Sequence, residues 1–135
     1  MNDLTHHHIT VNGIDLHYVE AGHGPLIVLL HGFPEFWYSW RKQIPALVDA
    51  GFRVVAPDLR GYNESSKPPN VDDYRLTVVA ADIVALIERL GAPCILGGYD
   101  WGGITSWFLA MIRPERLRKH AILNMPHPVP LLPPR

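Results

Sequence analysis

The residues with the most pointed chemistry are Gly98-Tyr99-Asp100-Trp101-Gly102, with Gly97 and Gly103 just outside them. Cys94-Ile95-Leu96, after Pro93, is a short apolar run that reads as a buried strand. Trp101 to Met111 is rich in apolar residues and reads as a helix. Together they have the form of a nucleophile elbow, small-x-nucleophile-x-small, with Asp100 in the central place. Gly98 and Gly102 suit it because a sharp strand-to-helix turn brings backbones too close for side chains. The turn sets Asp100 at a helix N-terminus, where free N–H groups and the helix dipole favour an ionised carboxylate. A plain N-cap is the competing role for Asp100, but an N-cap needs neither small flanking residues nor a preceding apolar strand.

An alternation of strands and helices must hold this turn. Ile9–Val11 and Ile14–Val19 read as strands joined by Asn12-Gly13, a strong hairpin signal. The continuous apolar run 26–30, Leu-Ile-Val-Leu-Leu, reads as a central parallel strand covered on both faces. His31-Gly32-Phe33-Pro34 follows it directly. Ser39 is a candidate cap for a helix from Trp40 to Ala50, with Pro45 implying a kink or a late start. Phe52–Ala56 reads as a strand, and 57–72 as a long polar connection over the sheet edge. Thr77 is a candidate cap for a helix to Leu90 that Gly91 ends. Leu117–Leu123 reads as a last strand, followed by a stretch too rich in proline for helix or sheet interior.

This order predicts an α/β fold with a mostly parallel sheet. In such sheets ligands bind beyond the carboxyl ends of the strands. The loops starting at His31, at Asp58 and at Asp100 all leave strands at that edge.

The 135 residues suffice for one modest domain, 47% hydrophobic and 19% charged, with net charge −1. No basic excess points to nucleic acid, and no apolar run reaches membrane-spanning length. The one cysteine, Cys94, cannot form an internal disulfide and reads as an inert core thiol. No basic region followed by an apolar stretch marks a signal peptide, so a reducing, cytoplasmic setting is expected. The run His6-His7-His8 reads as the polar lead-in to the first strand; no carboxylate or cysteine pattern beside it completes a metal site, so no metal is expected.

Four stretches in order carry a resemblance. They are His31-Gly32-Phe33-Pro34-Glu35 with Trp37-Tyr38-Ser39-Trp40-Arg41, Val54 to Tyr62, Gly98 to Gly103, and Asn124-Met125-Pro126-His127-Pro128. With them the chain resembles the epoxide hydrolase and haloalkane dehalogenase group of α/β-hydrolases over nearly its whole length. The resemblance implies that residues 1–135 are the N-terminal part of an α/β-hydrolase core domain, with cap domain and C-terminal strands absent. It implies that Asp100 is the nucleophile, that the backbone N–H groups of Phe33 and Trp101 form the oxyanion hole, and that the Phe33-Pro34 bond is cis. It implies an epoxide or haloalkane substrate and no cofactor. The base histidine, its carboxylate and two cap tyrosines of such enzymes lie beyond the residues present.

A carboxylate nucleophile suits displacement at saturated carbon, giving an ester that water then hydrolyses. His31 reads as a structural hydrogen-bonding residue, and Trp37 as either pocket floor or core. Epoxide hydrolysis is the leading expectation. Haloalkane dehalogenation and a catalytically dead fragment are the alternatives. Leu117–Leu123 would be an exposed edge strand and invites self-association.

Overall fold

The computed structural model describes residues 3–127, and the proline-rich stretch 128–135 lies outside them. Six strands form one mixed sheet in the order β1-β2-β4-β3-β5-β6. They are β1 (Thr5–Val11), β2 (Ile14–Ala21), β3 (Leu26–Leu30), β4 (Arg53–Pro57), β5 (Cys94–Tyr99) and β6 (Leu117–Leu123). The pairings β3 with β4, β3 with β5 and β5 with β6 are parallel, and β1–β2 and β2–β4 are antiparallel. Among the described residues three α-helices, α1 (Gln43–Asp49), α2 (Leu76–Leu90) and α3 (Trp101–Ile112), flank the sheet, with short 3-10 turns between elements.

All five residues of β3 are buried. Their alternation sends Leu26, Val28 and Leu30 into a core shared with Ile83, Leu86 and Ile87 of α2 and Leu109 of α3. Ile27 and Leu29 face the other way, toward Trp37, Trp40 and Ile44. Helices thus cover both faces of the central strands. Cys94 is fully buried in the first core, and desolvation pushes its thiol up to about 12, which leaves it inert.

The hairpin turn is at Asn12-Gly13, both with positive φ, as type I′ geometry requires. β1 is longer than expected and includes His6, His7 and His8 in its ladder. Ser39 caps no α-helix. It lies in a 3-10 turn, Trp37–Trp40, with its hydroxyl buried beside Tyr99. α1 starts later, which places Pro45 in its first turn, where a missing N–H costs nothing. Thr77 is likewise inside α2, whose N-cap is Arg75. The capping chemistry is used one turn earlier, where Asn70 and Asp73 form a capping box on the 3-10 turn Val71–Tyr74. Gly91 ends α2 in the left-handed region at φ 96°.

The 57–75 connection is anchored by buried polar groups. Arg60 donates from Nε to Asp82 Oδ2 at 2.8 Å and from Nη2 to Oδ1 at 2.9 Å, a fork onto α2. Both side chains are buried, and the Asp82 hydrogen bonds raise the Arg60 pKa. Removing one partner strands the other charge in the core. Asp82→Ala is therefore expected to lower stability by about 3–5 kcal/mol in urea denaturation. Asp72→Ala, which breaks the exposed Asp72–Arg75 pair, should leave the midpoint nearly unchanged.

Candidate active site

Asp100 sits between β5 and α3 with φ 54° and ψ −125°. Positive φ is rare for a residue with a Cβ and stores on the order of 1–3 kcal/mol of strain. The surroundings impose it. A Cβ on Gly98 would stand 2.5 Å from the Gly102 carbonyl oxygen, and one on Gly102 would run into the backbone oxygens of Leu30 and His31. Gly32 approaches from the other loop, where a Cβ would lie 2.7 Å from Asp100 Cβ. Three glycines let the start of α3, the end of β3 and the elbow occupy one small volume.

The Asp100 side chain does not cap α3. It reaches across to the β3 loop, where the Phe33 backbone N–H donates to Oδ2 at 2.9 Å. That bond first, and the Trp101 backbone N–H second, hold the Asp100 pKa below the usual 3.8. The carboxylate is exposed to solvent and ionised, with the Phe33 backbone N–H fixed on it. The Phe33-Pro34 bond is cis. Tyr99 fastens the same loop by donating its hydroxyl to Glu35 Oε1 at 2.6 Å.

His31 is fully buried, and its two ring nitrogens face backbone groups. Nε2 accepts from Leu59 N–H at 2.9 Å, so Nδ1 carries the proton and donates to the Gly32 carbonyl at 2.9 Å. Desolvation lowers its pKa and keeps it neutral. His31 therefore ties the β4 loop to the β3 loop. Trp37, considered for the pocket floor, packs in the core with Trp40 and Ile44, and its backbone N–H donates to Asp58 Oδ1 at 3.0 Å. His120 and His127 stack edge-on against Trp107 of α3. Trp107 also holds the Asn124–Pro126 stretch by donating to the Met125 carbonyl at 3.0 Å.

Beside the turn a mostly apolar cleft of about 300 Å³ opens, lined by Trp101, Thr105, Leu59, Arg60, Tyr62, Tyr74, Leu76 and Val79. Tyr62 is close enough for the Asp100 charge, after burial, to raise its hydroxyl pKa. The cleft suits a small apolar molecule. Leu59, Arg60 and Tyr62 lie in a stretch that carried the resemblance, but none of the loop residues was assigned to a cleft, because the 57–75 connection carries no periodic signal.

Asp100 thus occupies a strained strand-to-helix turn at the carboxyl ends of the parallel strands β3 and β5, with the Phe33 backbone N–H on its acidic side chain. Residues 25–134 match the family model described as alpha/beta hydrolase fold, and the chain belongs to that family. It is 52% identical over 136 residues to an AB hydrolase superfamily protein, YfhM, of Bacillus subtilis, covering 94% of this chain and 48% of that one. It is 48% identical over 135 residues to bifunctional epoxide hydrolase 2 of Rattus norvegicus, covering 98% of this chain and 24% of that protein. The crystal structure of epoxide hydrolase VrEH1 from Vigna radiata superimposes with a TM-score of 0.91 at 46% identity, over 93% of this chain and 42% of that one. The chain thus spans about half, or less, of the length of these relatives.

Glycine substitutions test the turn directly. Gly102→Ala drives a methyl group into two backbone oxygens that cannot yield, so it should abolish cooperative folding or strip Asp100 of its geometry. Gly97→Ala meets the Leu29 side chain at 3.1 Å and the Ala121 carbonyl oxygen at an ordinary 3.6 Å, and should fold with a modest loss. Circular dichroism melts of the two variants make the comparison.

Proposed function

We propose that this chain carries the nucleophile and oxyanion hole of an epoxide-opening site. Asp100 attacks a ring carbon, the epoxide C–O bond breaks, and the departing oxygen takes a proton from an acid outside these residues. The product is an ester between Asp100 and the substrate. Water then adds to that ester's carbonyl. The Phe33 and Trp101 N–H groups stabilise the oxyanion, and collapse releases the diol with Asp100 restored. The observation that carries this reading is the Phe33 N–H bond to Asp100 Oδ2. It holds one carboxylate oxygen where charge must develop and leaves the other to attack. The epoxide hydrolases among the relatives support the substrate class.

Phe33 favours epoxide opening over dehalogenation, because many dehalogenases place Asn there to bind halide. Halide release against diol formation, measured on a version extended through a base-bearing segment, separates the two. A base histidine with its carboxylate belongs to that segment, so the 135-residue chain should capture substrate without releasing it. Incubated with a small aryl epoxide, and with only water to protonate the departing oxygen, it should at most slowly gain one substrate mass, mapped to Asp100 and absent in Asp100→Ala. Because the Asp100 pKa is depressed, labelling should persist to more acidic pH than an ordinary carboxylate allows. Sustained diol production by this chain would overturn the capture-only reading.

A cytoplasmic setting fits a lone buried thiol. Among the described residues β6 pairs only with β5, and Leu123 is half exposed, so the chain should associate through that edge. Light scattering should give oligomers; a monodisperse monomer that melts cooperatively would contradict this.

A further inference from the structure

The histidine run acquires partners that its sequence neighbourhood does not contain. Alternation along β1 puts His6 and His8 on one face and His7 on the other, where it stacks on Tyr18 with ring centroids 5.0 Å apart. The hairpin register pairs His8 with His17 of β2. His6 Nδ1 then lies 2.9 Å from His17 Nε2. The 57–75 connection returns over this face and sets Glu64 Oε2 3.3 Å from the same His17 nitrogen. The three ligand atoms lie within 4.8 Å of one another.

His17 is fully buried and oriented. Its Nδ1 lies 2.6 Å from Asp58 Oδ2, an acceptor, so Nδ1 carries the proton. Asp58 is itself fixed by Trp37 N–H at 3.0 Å and Asn63 Nδ2 at 2.9 Å. In the neutral ring Nε2 therefore presents a lone pair, and it faces the Glu64 carboxylate. Two acceptors at that separation call for a cation between them. A carboxylate behind a histidine, fixing its tautomer and aiming its other nitrogen, is the arrangement found around metal ions.

We propose that His6 Nδ1, His17 Nε2 and Glu64 Oε2 bind one divalent transition-metal ion of the zinc type. Two imidazoles and a carboxylate suit such an ion, with water completing the shell. Bonds of about 2.0–2.2 Å to tetrahedral zinc put ligand atoms roughly 3.3 Å apart. The Glu64–His17 separation already has this value; His6, on the exposed face, must withdraw from His17 by a few tenths of an ångström and close on Glu64 from within the 4.8 Å that the cluster spans. The site uses none of the residues of the Asp100 turn. It would clamp the β1–β2 hairpin to the connection that shapes the cleft.

Zinc titration of the 135-residue chain by calorimetry, with melts in parallel, tests this. One equivalent should bind and raise the melting temperature. His6→Ala and Glu64→Gln, both at exposed positions, should each weaken binding by about 100-fold or more, since losing even an outer partner commonly costs 10–100-fold. His7→Ala, on the opposite face, should bind as the parent does. No binding by the parent would overturn the proposal. So would equal affinity in the parent and both ligand variants, or loss in His7→Ala alone. The first of these outcomes would mean that a proton bridges the cluster.

Discussion

The structure depends on a close approach of backbones at the carboxyl end of β3. Leu30 and His31 turn their carbonyl oxygens against the start of α3, and only glycine at position 102 permits it. The packing brings the β3 loop within reach of the Asp100 carboxylate, so that Phe33 N–H can donate to it. Positive φ at Asp100, glycine at 32 and 98, and the buried neutral His31 all serve the same convergence. The strain at Asp100 persists because two loops and a helix fix the residue at once. Side chains contribute less to this geometry than the absence of side chains does.

Much of this was legible. The glycines about Asp100 announced a tight turn, the five-residue apolar run announced a central strand, and Asn12-Gly13 announced the hairpin. Local signals of this kind carry their physics in a few neighbouring residues. Ser39 and Thr77 misled because a capping residue advertises a helix start without fixing which nearby turn uses it. The true start of α2 depends on a 3-10 turn that Asn70 and Asp73 stabilise between themselves. Trp37 could not be assigned from sequence, since an indole suits a pocket floor and a core equally.

The 57–75 connection was the least legible part, and it matters most around the site. It looks like a polar loop because its structure is made of long-range polar contacts. Arg60 reaches α2, Ser65 receives the His17 N–H, Leu59 donates to His31, and Asp58 gathers donors from two other stretches, at His17 and Trp37. The pairing of His8 with His17 could have been counted from the two-residue hairpin turn. The arrival of Glu64 beside them could not, because it depends on how the connection folds back. Buried polar networks of this kind are strongly specifying once formed and nearly invisible to periodicity.

The central claim is that Asp100 bonds to substrate and that the water oxygen enters through its carboxylate. A single turnover in ¹⁸O-labelled water tests it most directly, on a version of the chain continued through a segment bearing the general base. The account predicts that after one turnover the label is in the Asp100 carboxylate and the first diol released is unlabelled. Label in the diol from the first turnover would show direct attack by water and contradict it.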